Sequence, residues 1–256
     1  MRIKTIAIAA TLAIGTAFAT SAAYATPINH LTSNEGAGYH LYEQFGIRGL
    51  NGLNTPGELD AARLSLVTGS YWTAPGIGLG IRSTQLFEWA GNANITSFGV
   101  FDRFNSATRV QLLGGSASDG DSATMSILGD GSVMLNFTTD TGIDFTTNQF
   151  GYYIQTGATT YFSDPTLNPG GSDQLAAFMG NGIDTLTSWN YAPDLFNTTD
   201  YILAWEDILT PTGDDDFNDK VMIQEIVAVP EPGTLAVLGM GLLGLGYMRR
   251  RQTAKA

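Results

Sequence analysis

The sequence predicts an all-β chain folded as an antiparallel β-sandwich or jelly-roll-like domain. Hydrophobic side chains recur at alternate positions in short runs, Gly, Asn and Asp separate those runs, and no long stretch carries the 3.6-residue period of an amphipathic helix. Strands that follow one another without intervening helices pair antiparallel and bury a shared face. Loops at the ends of such a sandwich are then the places where function resides.

The chain of 256 residues opens with Arg2 and Lys4 ahead of an apolar run from Ile6 and two small-x-small sites, Ala17 to Ala19 and Ala23 to Ala25. This is the pattern of a secretory signal, residues 1–25, cut after Ala25. Residues 26–83 are less regular and form an N-terminal segment that is either a separate lobe or the first strands of the sandwich; Glu58 to Val67 is its one plausible short helix.

The main β-domain is expected over 84–228. Its candidate strands are Gln85 to Trp89, Ser97 to Phe101, Arg109 to Leu113, Thr124 to Leu128, Ser132 to Phe137, Gln149 to Ile154, Gln174 to Phe178, Tyr201 to Glu206 and Val221 to Val227. In the fifth, Val133, Leu135 and Phe137 share a face; in the eighth, Tyr201, Leu203 and Trp205 do so. No repeat period is apparent, which argues against a propeller or solenoid.

Charge narrows the function classes. Between Thr26 and Glu231 stand six basic side chains, Arg48, Arg63, Arg82, Arg103, Arg109 and Lys220, against all 24 acidic ones, a balance of −18. Such a surface repels phosphate backbones and attracts divalent cations, so nucleic acid is not an expected partner. The absence of cysteine excludes disulfides, thiolate metal sites and a Cys nucleophile. The two histidines, His30 and His40, lie near the N-terminus, and no GxSxG or HExxH frames either one, so neither a Ser-His-Asp hydrolase nor a His-ligated zinc enzyme is supported.

The densest chemistry is "EDILTPTGDDDFNDK", Glu206 to Lys220, with six acidic side chains and one Asn in fifteen residues. Carboxylates this close repel one another unless a cation or several backbone donors compensate. The stretch connects two neighbouring strands, and within it Asp214, Asp216 and Asn218 alternate, aiming oxygen-bearing side chains to one side. Ca²⁺ takes six to eight such oxygens, and Glu206, Asp207 and Asp219 are near enough in sequence to complete a shell. The alternative is a solvated acidic turn. An EF-hand is not expected: Asp214, Asp216, Asn218 and Glu225 fit loop positions one, three, five and twelve, but the sixth, where Gly belongs, is Asp219, and no helix can follow. Two weaker clusters are Asp119, Asp121 and Asp130, and Asp164, Asn168 and Asp173.

After this hairpin the chain ends in "VPEPGTLAVLGMGLLGLGYMRRR", Val229 to Arg251. Its apolar stretch, Leu235 to Met248, spans about 21 Å as a helix, short for a hydrocarbon core of about 30 Å. A Pro-rich break, a short apolar helix and a basic stop suit transient retention at the inner membrane rather than a permanent anchor. On these residues, Val229 to Pro232, the helix and Arg249 to Arg251, segment 229–256 resembles the PEP-CTERM sorting signal. The resemblance implies a Gram-negative bacterium, an exosortase-type processing enzyme that cuts near Pro230 to Pro232, and a destination at the cell surface or in an exopolysaccharide matrix.

The blocks "FGYYI", "YFSDPTLNPGGSDQLAAF", "YILAWED" and "DDDFND" resemble domain-of-unknown-function family four-one-one-four, a family of bacterial surface proteins, over roughly Thr84 to Val227. That resemblance implies a β-rich domain, calcium binding without an established reaction, and ligand roles for Glu206, Asp207, Asp214, Asp216, Asn218 and Asp219. Three functions stay open: a non-enzymatic, calcium-stabilised surface or matrix protein; a carbohydrate-binding module with Trp72, Trp189 or Tyr191 as stacking platforms; and a matrix-processing glycosidase.

Overall fold

A computed structural model describes residues 65–66, 70–89, 91–92, 94–180, 182–183, 185–188, 191–209 and 217–228. The expected signal sequence, most of the N-terminal segment with His30 and His40, and the sorting segment from Val229 onward lie outside the described residues.

Fifteen strands occur among the described residues: β1 (Ser65–Leu66), β2 (Trp72–Thr73), β3 (Leu79–Phe87), β4 (Thr96–Asp102), β5 (Asn105–Leu113), β6 (Ser122–Ile127), β7 (Ser132–Leu135), β8 (Thr139–Asp144), β9 (Gln149–Thr156), β10 (Thr159–Phe162), β11 (Leu175–Met179), β12 (Thr185–Ser188), β13 (Tyr191–Leu195), β14 (Tyr201–Trp205) and β15 (Lys220–Ala228). The only other regular elements among them are two 3-10 turns, Pro165–Leu167 and Pro169–Gly171. Sheet A has the order β1-β11-β14-β15-β3-β6-β7-β8, and sheet B the order β10-β9-β4-β5 with β2 also on β9; β12 and β13 form a separate hairpin. Every pairing is antiparallel.

The two sheets face each other as a sandwich. Alternation puts Tyr201, Leu203, Trp205 and Met222 of sheet A against Phe98, Val100, Phe150, Tyr152 and Ile154 of sheet B. Phe98 is the centre of this contact, stacked on Tyr152 at 5.5 Å and meeting Trp205 edge-on at 6.5 Å. The other face of sheet A is buried as well. Leu86, Phe87, Phe178, Ile202, Ala204, Val221 and Ile223 form a second cluster with Leu186 of β12, Phe196 just after β13, and Phe217. Burial on both faces explains why β14 reads as a continuous apolar run rather than a clean alternation.

Several expectations change in detail. Ser65 and Leu66, expected in a helix, pair as strand β1 with Met179 and Phe178, so tertiary pairing overrides local propensity. The boundary between 83 and 84 falls inside β3. Strand β7 stops at Leu135 because Asn136 and Phe137 turn into the left-handed region, at φ 47° and 67°. Trp72, offered above as a sugar platform, is 3% exposed and packs edge-on against Tyr152 and Tyr201.

A fully buried aromatic cut back to Ala costs about 3–5 kcal/mol. Phe98→Ala is therefore expected to lower the urea midpoint of the domain by that equivalent, whereas Phe104→Ala, at an exposed turn, leaves it within about 0.5 kcal/mol of wild type.

Candidate metal centre

The acidic connection begins where β14 ends and closes where β15 begins, and the register between those strands builds the site. Trp205 lies opposite Lys220, so Glu206 and Asp207 leave one strand beside Asn218 and Asp219 entering the other. All four are buried, with 1%, 3%, 1% and 9% of their surface exposed. Asp214 and Asp216, together with Asp215, lie outside the described residues. Four of the six expected ligands thus stand at adjoining strand ends and the other two are not described; among the described residues no three acidic side chains are arranged to hold a metal ion by themselves.

Local bonds hold the four in place. The Asp207 backbone N–H donates to Asp219 Oδ2 at 2.7 Å, closing the hairpin across its mouth. Gln174 Nε2 donates to the carbonyls of Glu206 and Ile208 at 3.0 and 2.9 Å, and Glu206 N–H donates to the Gln174 carbonyl at 3.1 Å. Asp207 also reaches the opposite sheet: Thr96 Oγ1 and Asn92 Nδ2 donate to its two carboxylate oxygens at 3.0 and 3.3 Å. A carboxylate oxygen carries two lone pairs, so these bonds orient Asp207 and leave acceptor capacity for a cation. Phe217 anchors the returning chain in the outer hydrophobic cluster, and its φ of 57° turns the backbone so that Asn218 and Asp219 can follow.

Beside this group lies a charge pair that the sequence reading did not single out. Lys220 has a fully buried side chain, and its Nζ donates to Glu88 Oε1 at 2.9 Å. A bulge between Val221 and Met222 lets β3 place Leu86 and Phe87 in the outer cluster, while Gln85 and Glu88 turn to the polar side. Gln85 Nε2 in turn donates to Glu88 Oε2 at 3.3 Å. Burial pushes Glu88 up to about 7 despite the lysine, and it lowers Lys220. One sequence signal pointed here: Lys220 is the lone basic residue between Arg109 and Arg249.

The weaker clusters are turn chemistry. Asp121 and Asp130 sit at opposite ends of β6, each accepting from a nearby backbone N–H, of Ser118 and Ser132. Asp164 caps the first 3-10 turn by accepting from Thr166 N–H and Oγ1, and it receives the Tyr71 hydroxyl. Asn168 uses its whole amide on the backbone of Phe162 and Ser172. Asp173, the third of that group, is held up at about 6 by burial. Glu225, the last position of the EF-hand pattern, lies within β15 and pairs with Arg82 at 2.9 Å, so no EF-hand forms.

Glu88 yields a pH dependence of defined sign. Its folded value near 7 exceeds the ordinary 4.5, so the folded state holds a proton that the unfolded state has lost between those values. Stability should therefore fall as pH rises from about 4.5 to 7, by on the order of 2 kcal/mol, with Lys220, Gln85 and Asp207 as the neighbours that set the slope. In Glu88→Gln, melting temperatures across this window should lose that component; an unchanged slope would assign the effect to another carboxyl such as Asp173.

Comparison with known proteins bears on both the domain and the tail. No curated protein and no solved structure matches the chain. Residues 120–224 match a domain of unknown function, DUF4114, and this range contains β6 to β14 and the acidic hairpin. Residues 228–251 match the PEP-CTERM protein-sorting motif, the mark of an exported protein sorted by an exosortase. The chain thus ends in a PEP-CTERM sorting motif, which marks an exported protein sorted by an exosortase, and part of its all-β sandwich, residues 120–224, is similar to the domain of unknown function DUF4114.

Proposed function

We propose that this chain is a non-enzymatic cell-surface or exopolysaccharide-matrix protein whose sandwich is closed at one end by Ca²⁺. The observation that carries this reading is the burial of Glu206, Asp207, Asn218 and Asp219 side by side, next to a lysine already engaged by Glu88. Three buried carboxylates at one hairpin mouth, with Asp214 and Asp216 on the connection between them, favour a positive ion there, and hard oxygen donors of this kind suit Ca²⁺. Asp214 and Asp216 would supply further oxygens from the connecting loop. The cation would fasten the β14–β15 hairpin to sheet B through Asp207 and Thr96. In a chain without disulfides, such a clasp contributes stability outside the cell.

On this reading the C-terminal apolar segment holds the chain briefly at the inner membrane, and cleavage near Pro230 to Pro232 releases it. Extracellular polysaccharide is the partner that a matrix destination offers. Carbohydrate recognition through Trp72 is not part of the reading, because its ring lies in the core. A glycosidase needs two carboxyls across an open cleft, whereas Glu206, Asp207 and Asp219 are buried at one hairpin mouth.

Millimolar Ca²⁺ is expected to raise the melting temperature of the full chain. At a hundredfold excess over the dissociation constant the gain is about 2.7 kcal/mol. Asp219→Asn should remove most of that gain, as should the double change Asp214→Asn with Asp216→Asn, while Asp130→Asn at the far end keeps it. Calorimetric titration that detects no Ca²⁺ binding to the wild type would overturn the proposal.

A further inference from the structure

We propose that the end of the sandwich from which β15 departs is a lipid-facing surface, on which Ile77, Phe104 and Leu128 rest in the interfacial layer of the bilayer before processing. The inference rests on the transient anchorage proposed above and adds an orientation and a contact surface to it.

Three loop tips carry the apolar side chains. Ile77, in the turn between β2 and β3, is fully exposed; Phe104, between β4 and β5, is 61% exposed; Leu128, after β6, is 46% exposed. Isolated exposed apolar residues are ordinary, and Ile95 and Ile208 stand exposed at the acidic end, so it is the position of the chain's exit that singles out these three. Ile77 and Leu128 line a concavity of about 390 Å³ together with Thr146, Thr147 and Asn148. Asp102 joins the Phe104 turn to the same surface, accepting from Phe104 N–H at 3.0 Å and Thr146 N–H at 2.8 Å. The Arg103 guanidinium lies 5.7 Å from the Phe104 ring, an amphipathic pairing suited to a headgroup layer.

The position of the chain's exit gives this end its partner. Ala228 pairs with Leu79, two residues beyond Ile77, so the sorting motif begins beside these tips. Six residues, 229–234, then separate β15 from the apolar stretch that starts at Leu235. Even fully extended they reach about 20 Å, whereas nine-residue β15 is about 30 Å long. The opposite end therefore cannot take the lipid-facing place while the chain is anchored.

The natural chain has no cysteine, so single changes accept one fluorophore each. Ile77→Cys, Phe104→Cys and Leu128→Cys report on the proposed surface, and Ile95→Cys and Ile208→Cys report on the acidic end. With the full chain in vesicles of phosphatidylethanolamine and phosphatidylglycerol, the first three labels should show blue-shifted emission and at least about twofold stronger quenching by brominated lipid than the other two. Equal quenching at all five positions of a vesicle-bound chain overturns the orientation while leaving anchorage intact. A chain that fails to sediment with vesicles overturns the anchorage and this surface together.

Discussion

A lysine with no exposed surface must have its charge answered inside the fold, and the acidic end of this sandwich is organised around that requirement. Lys220 meets Glu88 at 2.9 Å, and Glu88 is available only because a bulge in β3 interrupts strict alternation. Removing one member of such a pair strands a buried charge and typically costs about 3–5 kcal/mol. The pairing thereby fixes the register of β15 against β3 at the point where the acidic connection returns. Register in turn sets Trp205 opposite Lys220 and gathers the four polar side chains beside it.

The same pairing separates two kinds of polar residue. Asp102, Asp130, Asp164 and Asn168 satisfy turns or caps, with Asp102 also accepting from Thr146 and Asp164 from the Tyr71 hydroxyl. Asp207 differs, because its carboxylate connects sheet A to Thr96 and Asn92 near the start of β4. Joining the sheets at this end complements the aromatic contact of Phe98 with Trp205 deeper inside. The sandwich is thus cross-linked at the end holding the hairpin. The end from which the chain departs is looped, with Ile77, Phe104 and Leu128 exposed at its tips.

Antiparallel topology makes this division possible. A strand that begins among the carboxylates, as β15 does at Lys220, must finish at the other end of the sheet, beside Leu79. One nine-residue element therefore links the candidate cation site to the sorting motif that follows it. Whatever stiffens the hairpin also holds the start of the strand from which the tail extends.

Much of this was legible in the sequence because it depends on local pattern. Short apolar or alternating runs bounded by turn residues located β4, β5, β6, β7, β9, β11, β14 and β15, and the acidic density of Glu206 to Lys220 marked the hairpin. The sorting segment was legible for the same reason, being a contiguous order of break, apolar run and basic stop. Edge strand β8, "TDTGID", escaped notice because its residues are polar and largely exposed, so no hydrophobic face announced it. Only the tertiary structure determined that Ser65 and Leu66 join a sheet, that Trp72 is core, that Gln85 and Glu88 turn toward Lys220, and that Asp207 reaches Thr96. Each of these depends on partners distant in sequence, such as the 111 residues between Thr96 and Asp207, and composition or spacing along one strand contains no record of which distant strand will lie opposite.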